Sequence, residues 1–470
     1  MPEPLFVPDR FDDLRSQSEA ALRGFVVPIE ASLDYIDGRF SEMASSRRGA
    51  LAILHGESGC GKSTFLDTLH LFRRGVKTNW VPRSQDIEKA LAALEPTDSP
   101  RVIGLEGREA IGRVSPAALE AGLHAINAFV REPAGRNTLV VWPTNTDPLT
   151  EQLVALANDI GADALLGVGE PIKRFGGPDT AQFPSIARRT IEMLNEGASF
   201  SALGISEQRT ADLALEANTI GRYLGLIRRD MLANTNRVAG LLKEEQVQLW
   251  TVVIAGNDPE GDVDALTRGS QSLVDIDKLV VSTGANVVSD LKERPEIMGL
   301  LGTSLEARII WVEITTALAV IREYADEPLR VLMAAAELST KRDKDAAERL
   351  GNSHLALLLR GQTLGTRKRG PKARPNTKEL FAKIAVISQS NDIALNRALA
   401  NGLKQFGAIE DFELEKPLRG LKARKSDIYC ERPDGPVRLE VMWREKTGRA
   451  TIANYVLTKL SNYGGAIGLT

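Results

Sequence analysis

The chain has 470 residues carrying 59 Lys+Arg against 62 Asp+Glu, for a formal net charge of -3. That balance excludes a chain basic throughout its length, though not a local basic patch, and an aromatic content of 5% argues against broad stacking surfaces for single-stranded nucleic acid. Cys60 and Cys430 are too few for a disulfide scaffold, and His55, His70, His124 and His354 are too scattered for a zinc site.

At roughly 150 residues per domain the length suggests about three domains. No run of about 20 apolar residues occurs, and the most apolar helical stretch, near Ile309 to Ile321, contains Glu313. The acidic, Pro-rich start MPEPLFVPDRFDD lacks a signal-peptide pattern, so the expectation is a soluble, cytoplasmic chain without a membrane partner. Residues 1–45 read as an arm followed by a helix. Residues 46–180 alternate helical segments with the strand candidates Ala50–Leu54, Arg101–Glu106, Thr138–Trp142 and Ala164–Val168. That alternation predicts a parallel sheet with crossover helices.

Residues 181–243 lose the strands. One helix runs from Phe183 towards Asn195, a second follows Ser206, and a third carries the stripe Ile220, Tyr223, Leu224, Ile227 and Met231. Residues 244–360 offer one strand candidate, Leu249–Ala255, then mostly helical patterns without chemistry, so the expectation is a structural or partner-binding domain. Arg360, Arg367, Lys368, Arg369, Lys372, Arg374 and Lys378 follow with no acidic residue among them, while Gly370, Pro371 and Pro375 break helix; residues 361–378 therefore read as a basic linker. Residues 379–470 form a last unit: a helix with Leu395, Leu399, Leu403 and Phe406, strand candidates Asp427–Cys430 and Val437–Trp443, and a helix with Ile452, Tyr455, Val456, Leu460 and Tyr463. Ala466–Leu469 is a candidate final strand.

The segment Gly56-Glu57-Ser58-Gly59-Cys60-Gly61-Lys62-Ser63 fits G-x-x-x-x-G-K-[ST] in full, between the apolar run Leu51–Leu54 and a helix opened by Thr64. Its glycines let backbone N–H groups turn inward around phosphate oxygens, and the helix N-terminus adds its positive end. Lys62 is placed to reach β and γ phosphates, and the Ser63 hydroxyl to ligate Mg²⁺. Cys60, at a variable position, reads as a small residue and not a nucleophile.

This segment resembles the P-loop NTPases. Val102–Glu106 looks like their second acidic strand, with Glu106 holding the Mg²⁺ shell in place of the usual Asp; Gly107 stands where a catalytic Glu is expected, and Glu109 is its nearest substitute. Leu139–Asn145 looks like the following strand of AAA+ ATPases, where Asn145 would orient the attacking water as sensor 1. The helical segment after it resembles the AAA+ lid, with Arg222 at the sensor 2 position. The resemblance implies ATP and Mg²⁺ as cofactors and a homo-oligomer, but Leu149–Ile160 holds no arginine finger, leaving Lys173, Arg174 or Arg136 as substitutes.

In the last unit the order helix, strand with Asp427, strand with Glu440, helix, short strand resembles the PD-(D/E)xK nuclease core. That implies two carboxylates sharing Mg²⁺, and the turn Pro433-Asp434-Gly435 suits a hairpin between them. Met442 occupies the position of the family lysine, and Lys459 on the last helix is the proposed substitute. Lys422, Arg424 and Lys425, with the linker, suit DNA.

The expected fold is thus α/β: a P-loop parallel sheet with a helical AAA+-like lid, a mostly helical middle domain and a C-terminal restriction-endonuclease-like domain. The expected function is an AAA+-like ATPase controlling a nuclease-like, DNA-binding module of the bacterial anti-phage defence type. The alternatives are a non-nuclease regulator that binds DNA and recruits partners through its C-terminal part, as in transposon target selection, and a nucleotide-switched scaffold; a partner protein through residues 244–470 is a further expectation.

Overall fold

The computed structural model describes residues 4–8, 18–110, 112, 115–242, 247–284, 294–364, 373–418 and 421–469. The linker cations Arg367, Lys368, Arg369 and Lys372 lie outside these residues. The chain forms two compact units, one of residues 7–190 and 210–228, the other of residues 1–6, 191–209 and 229–470. The partition runs through the helices Phe183–Leu194, Glu207–Glu216 and Ile220–Leu241, so the expected lid, 181–243, is divided between the units.

The first unit is built on a five-stranded sheet in the order β2-β3-β4-β1-β5, formed by β1 (Ala50–His55), β2 (Lys77–Val81), β3 (Arg101–Leu105), β4 (Thr138–Thr144) and β5 (Ile172–Arg174). All its pairings are parallel. The central strands are apolar throughout because both faces are covered. Leu51, Ile53, Ile103, Val140 and Trp142 pack on one side with the helices Pro116–Phe129 and Asp147–Ile160. Ala52, Leu54, Val102, Leu139 and Val141 pack on the other with Leu33, Ile36, Phe65 and Leu66. This is the period-two alternation of a strand turned to two cores.

Two expectations for this sheet are corrected. Ala164–Val168 is no strand: a short helix, Asp163–Leu166, stands there, and the edge strand is β5, whose three residues Ile172-Lys173-Arg174 are too short and polar to show an apolar run. Lys173 and Arg174 therefore lie within the last strand and not after it. β2, with its Lys-Thr-Asn-Trp-Val alternation, supplies the opposite edge and had no expectation attached.

The second unit is a seven-stranded sheet in the order β10-β11-β12-β6-β9-β8-β7. Its strands are β6 (Gln248–Ala255), β7 (Thr267–Arg268), β8 (Leu273–Val274), β9 (Arg308–Trp311), β10 (Asp411–Leu418), β11 (Leu421–Glu431) and β12 (Val437–Arg444). β12 pairs in parallel with β6, and β6 with β9. Residues 244–360 are mostly helical, as expected, but their strands enter the same sheet as residues 379–470, so the boundary at 361–378 separates no two cores. The reason is burial: Leu249–Ala255 is covered on both faces and needs a neighbour at each edge. The stretch near Ile309 to Ile321 divides into β9 and the helix Ile314–Tyr324. Ala466–Leu469 is not a strand: the last helix runs Arg449–Ala466, and the edge of β12 that such a strand would use is taken by β6. No described helix is long and apolar enough to cross a membrane.

Candidate functional site

At the C-terminal end of β1 the chain turns through Gly56–Gly61 into the helix Lys62–Asp67. Gly59 and Gly61 take φ values of 85° and 102°, which an L side chain would strain. A Cβ at Gly56 would stand 2.3 Å from the Phe175 carbonyl oxygen, so only glycine fits beneath the segment leaving β5. The loop is anchored on three sides. Gly56 N–H donates to Thr144 O of β4 at 3.0 Å, Phe175 N–H to His55 O at 2.7 Å, and Gly221 N–H to Gly59 O at 3.0 Å. Arg222 thus opens a helix that rests on the loop, its own N–H capped by Thr219 Oγ1 at 3.2 Å. Glu57, Ser58, Gly59 and Ser63 are exposed along the rim, with Thr64 half-buried behind them.

Lys62 is 7% exposed. Its Nζ donates to Gly56 O, to Glu57 O at 3.0 Å and to Cys60 Sγ at 3.7 Å; among the described residues no carboxylate pairs with it. Burial lowers its pKa, against the opposing pull of Cys60, Glu109 and Glu57. A buried ammonium held by carbonyls and a thiol without a carboxylate partner, at the mouth of an open glycine loop, fits a phosphate anion. Burial raises the Cys60 thiol, and the residue is 2% exposed, which suits a small packing residue and not a nucleophile.

The acidic turn after β3 and the end of β4 meet beside this loop. Glu109 Oε1 accepts the Gly107 N–H at 2.8 Å, and its carbonyl accepts the Asn145 N–H at 2.8 Å. Glu106 follows β3 directly, its N–H donating to Val81 O at 3.0 Å. The structure therefore gathers Glu106, Glu109 and Asn145 at adjacent strand ends, with Glu109 electrostatically coupled to Lys62. His55, immediately before Gly56, is a neighbour of the loop to which the sequence attached no role. Its Nδ1 lies 3.1 Å from Thr144 Oγ1 and 2.9 Å from Thr150 Oγ1, and its Nε2 lies 3.4 Å from Asp147 Oδ1. Asp147 also pairs with Arg174 at 3.3 Å, within the same chain. The available signal was a single titratable residue closing an apolar strand immediately before Gly56.

The second unit holds another cluster. Asp427 on β11 and Glu440 on β12 turn to the face where Met442 packs on Ile452 and Val456 of the last helix. β11 and β12 pair only from Ile428↔Leu439 to Cys430↔Val437. At the next step the ladder is replaced by a side chain: Val441 N–H donates to Asp427 Oδ2 at 2.6 Å. Lys459 Nζ donates to Glu440 Oε2 and stands 5.2 Å from the Tyr455 ring centre. Glu440 is 1% exposed, and burial with the Asp427 charge pushes its pKa up to about 8, against Lys459. Burial likewise raises Asp427, opposed by Lys459 and the Val441 N–H. Burial alone would lower Lys459, but Glu440 and Asp427 outweigh it and raise its pKa. The structure thus brings Asp427, Glu440 and Lys459 together. A buried Glu440 whose charge is opposed by that of the half-buried Asp427 suits a divalent cation; among the described residues no third His, Cys, Asp or Glu joins them.

No family model and no curated protein matches the chain. Among solved structures it is similar to the Aeropyrum pernix Orc1 protein in complex with DNA, at 15% identity over 83% of this chain and 96% of that one, with a TM-score of 0.33. It is also similar to Cdc6p from Pyrobaculum aerophilum, at 12% identity over 83% and 98%, TM-score 0.30. A third is the Thermotoga maritima RuvB Holliday junction branch migration motor, at 12% identity over 80% and 98%, TM-score 0.30. The functional reading rests on the residues of the two sites.

Proposed function

We propose that the chain is an AAA+-like P-loop ATPase that acts on DNA and carries a nuclease-like centre in its second unit, in the manner of bacterial anti-phage defence proteins. The observation that carries the ATPase reading is Lys62, a buried ammonium with carbonyl and sulfur partners only, set in a glycine loop beside Glu106, Glu109 and Asn145. Mg²⁺–ATP, when bound, would supply the phosphoryl group and a cation to offset its charge. The loop amides and Lys62 hold the phosphates, Ser63 and Glu106 hold the cation, Glu109 or Asn145 orients water, and Arg222 offsets phosphate charge. In the second unit a divalent cation held by Asp427 and Glu440 would activate water for phosphodiester attack, with Lys459 offsetting the developing charge. A homo-oligomer, and a partner protein at residues 244–470, complete the proposal.

The test is ATP turnover by the purified chain with and without duplex DNA, alongside Mg²⁺-dependent nicking of supercoiled plasmid. No turnover removes the ATPase reading; turnover without cleavage but stimulated by DNA replaces the nuclease-like centre with a regulator. Turnover indifferent to DNA leaves a nucleotide-switched scaffold.

Two smaller effects follow. Glu106→Gln should weaken Mg²⁺-dependent nucleotide binding, whereas Glu109→Gln should keep binding and trap ATP; hydrolysis unaffected by either change would remove the acidic turn from the site. Neutralising Arg367, Lys368, Arg369, Lys372 and Arg374 should weaken DNA binding and flatten its salt dependence by roughly 0.9 in log–log slope per lost phosphate contact. An unchanged slope makes the stretch a plain hinge.

A further inference from the structure

Between Glu106 and Glu109 lies an arginine whose side chain bonds only main-chain carbonyls, yet is 5% exposed. Arg108 Nη1 donates to Val81 O at 2.9 Å and Glu106 O at 3.1 Å; Nη2 donates to Pro82 O at 3.2 Å, Arg83 O at 3.4 Å and Gln85 O at 2.6 Å. Its own carbonyl accepts the Trp142 Nε1–H of β4 at 3.3 Å. Five main-chain carbonyls, four of them at the end of β2 and in the turn that follows, converge on one guanidinium.

Retaining a buried cation among carbonyls is a poor device for stability alone, because its desolvation is costly and an apolar side chain would pack without that penalty. What the guanidinium does provide is geometry. Its planar fork of donors fixes several acceptors at once, which the compact lysine ammonium cannot reproduce. The atoms so fixed include the Glu106 carbonyl and Val81 O, which also accepts the Glu106 N–H. Just beyond, Glu109 bends back to the Gly107 N–H and takes the Asn145 N–H on its carbonyl. The spacing of Glu106, Glu109 and Asn145 therefore follows from the turn that Arg108 clamps.

We infer that Arg108 is a positioning residue: it locks the turn 106–109 to the end of β2 so that both carboxylates present to the nucleotide site at fixed separation. This rests on the ATPase reading above. A misplacement of about 1 Å in such a centre costs turnover by up to about 100-fold while leaving ground-state contacts in place.

The experiment compares the full chain with Arg108→Lys and Arg108→Gln, measuring ATP turnover, affinity for a non-hydrolysable ATP analogue, and hydrogen exchange in peptides covering residues 81–86 and 101–112. The expected result is faster exchange confined to those peptides, analogue affinity within about threefold of wild type, and turnover lowered about 10- to 100-fold in both variants. Turnover retained in Arg108→Lys overturns the inference, because a lysine cannot hold the five carbonyls. Unchanged exchange in both variants overturns it as well. If both variants lose analogue binding and exchange rises throughout the unit, Arg108 is a structural residue only and the inference fails. No turnover in wild type removes the ATPase reading itself, and this inference with it; the wild-type arm thus distinguishes the two failures.

Discussion

Replacing Lys62 with alanine should reduce ATP turnover by about 100- to 1000-fold, the loss typical when one preorganised charge donor is taken from a transition state. The structure explains why no neighbour can substitute. Among the described residues Lys62 Nζ has only carbonyls and the Cys60 sulfur as partners, so the cation that would meet the phosphates is this one alone within the loop. Glu57 and Glu109 bear on it electrostatically but are acidic, and without the ammonium they would repel the nucleotide. Affinity for ATP should therefore fall together with turnover. Folding should survive, because Phe65 and Leu66, through which the helix Lys62–Asp67 packs on the apolar core, remain in place. Isothermal titration with ATP and a phosphate-release assay check this result, with the thermal transition as the folding control. Wild-type values for affinity and turnover would sink the ATPase reading.

The candidate nucleotide site was readable in the sequence because its elements are local. A glycine loop, its lysine and its helix all lie within Gly56–Asp67, and β1, β3 and β4 are apolar runs whose polar ends mark the site. What could not be read was whatever depends on a register between distant segments. His55 gains its partners only when β1 and β4 pair and bring it against Thr144 and Thr150. Arg108 looks like any surface arginine until β2, itself a polar edge strand without an apolar signature, delivers its carbonyls.

The second unit shows the same limit on a larger scale. Asp427 and Glu440 could be named from the resemblance of their element order to the nuclease core, and Lys459 from helical spacing, since it lies one turn after Tyr455. The sheet around them could not. Its strand next to β12 is β6, far upstream in the chain, and nothing in Leu249–Ala255 distinguishes a strand of a separate domain from the neighbour of Val437–Arg444. A continuous apolar strand announces that both its faces are buried, never which partner lies at its edge.

Glu440→Ala should abolish Mg²⁺-dependent plasmid nicking, and its effect on stability should separate chemistry from folding. Removing Glu440 alone leaves Lys459 with Asp427 as its remaining counter-charge, so the cost falls below the ~3–5 kcal/mol of breaking a fully buried pair from one side. Replacing both partners, as Glu440→Gln with Lys459→Met, removes the charges together and should bring stability close to wild type by the same logic. The double variant should nevertheless remain inactive in cleavage, because Asp427 alone cannot hold the cation and no lysine faces the scissile phosphate. Thermal transitions of wild type, Glu440→Gln, Lys459→Met and the double variant form the cycle, and nicking is assayed on each and on Glu440→Ala. A pair kept for folding would show a large coupling energy and no wild-type cleavage; in that case Met442, apolar where the nuclease pattern has lysine, marks a centre that no longer cuts, and recruitment of a partner becomes the role of this unit. Cleavage that persists in Glu440→Ala would place the reaction elsewhere. Cleavage present in wild type and lost in every variant assigns Asp427, Glu440 and Lys459 to the reaction, because the double variant folds and differs only in the charges the chemistry requires.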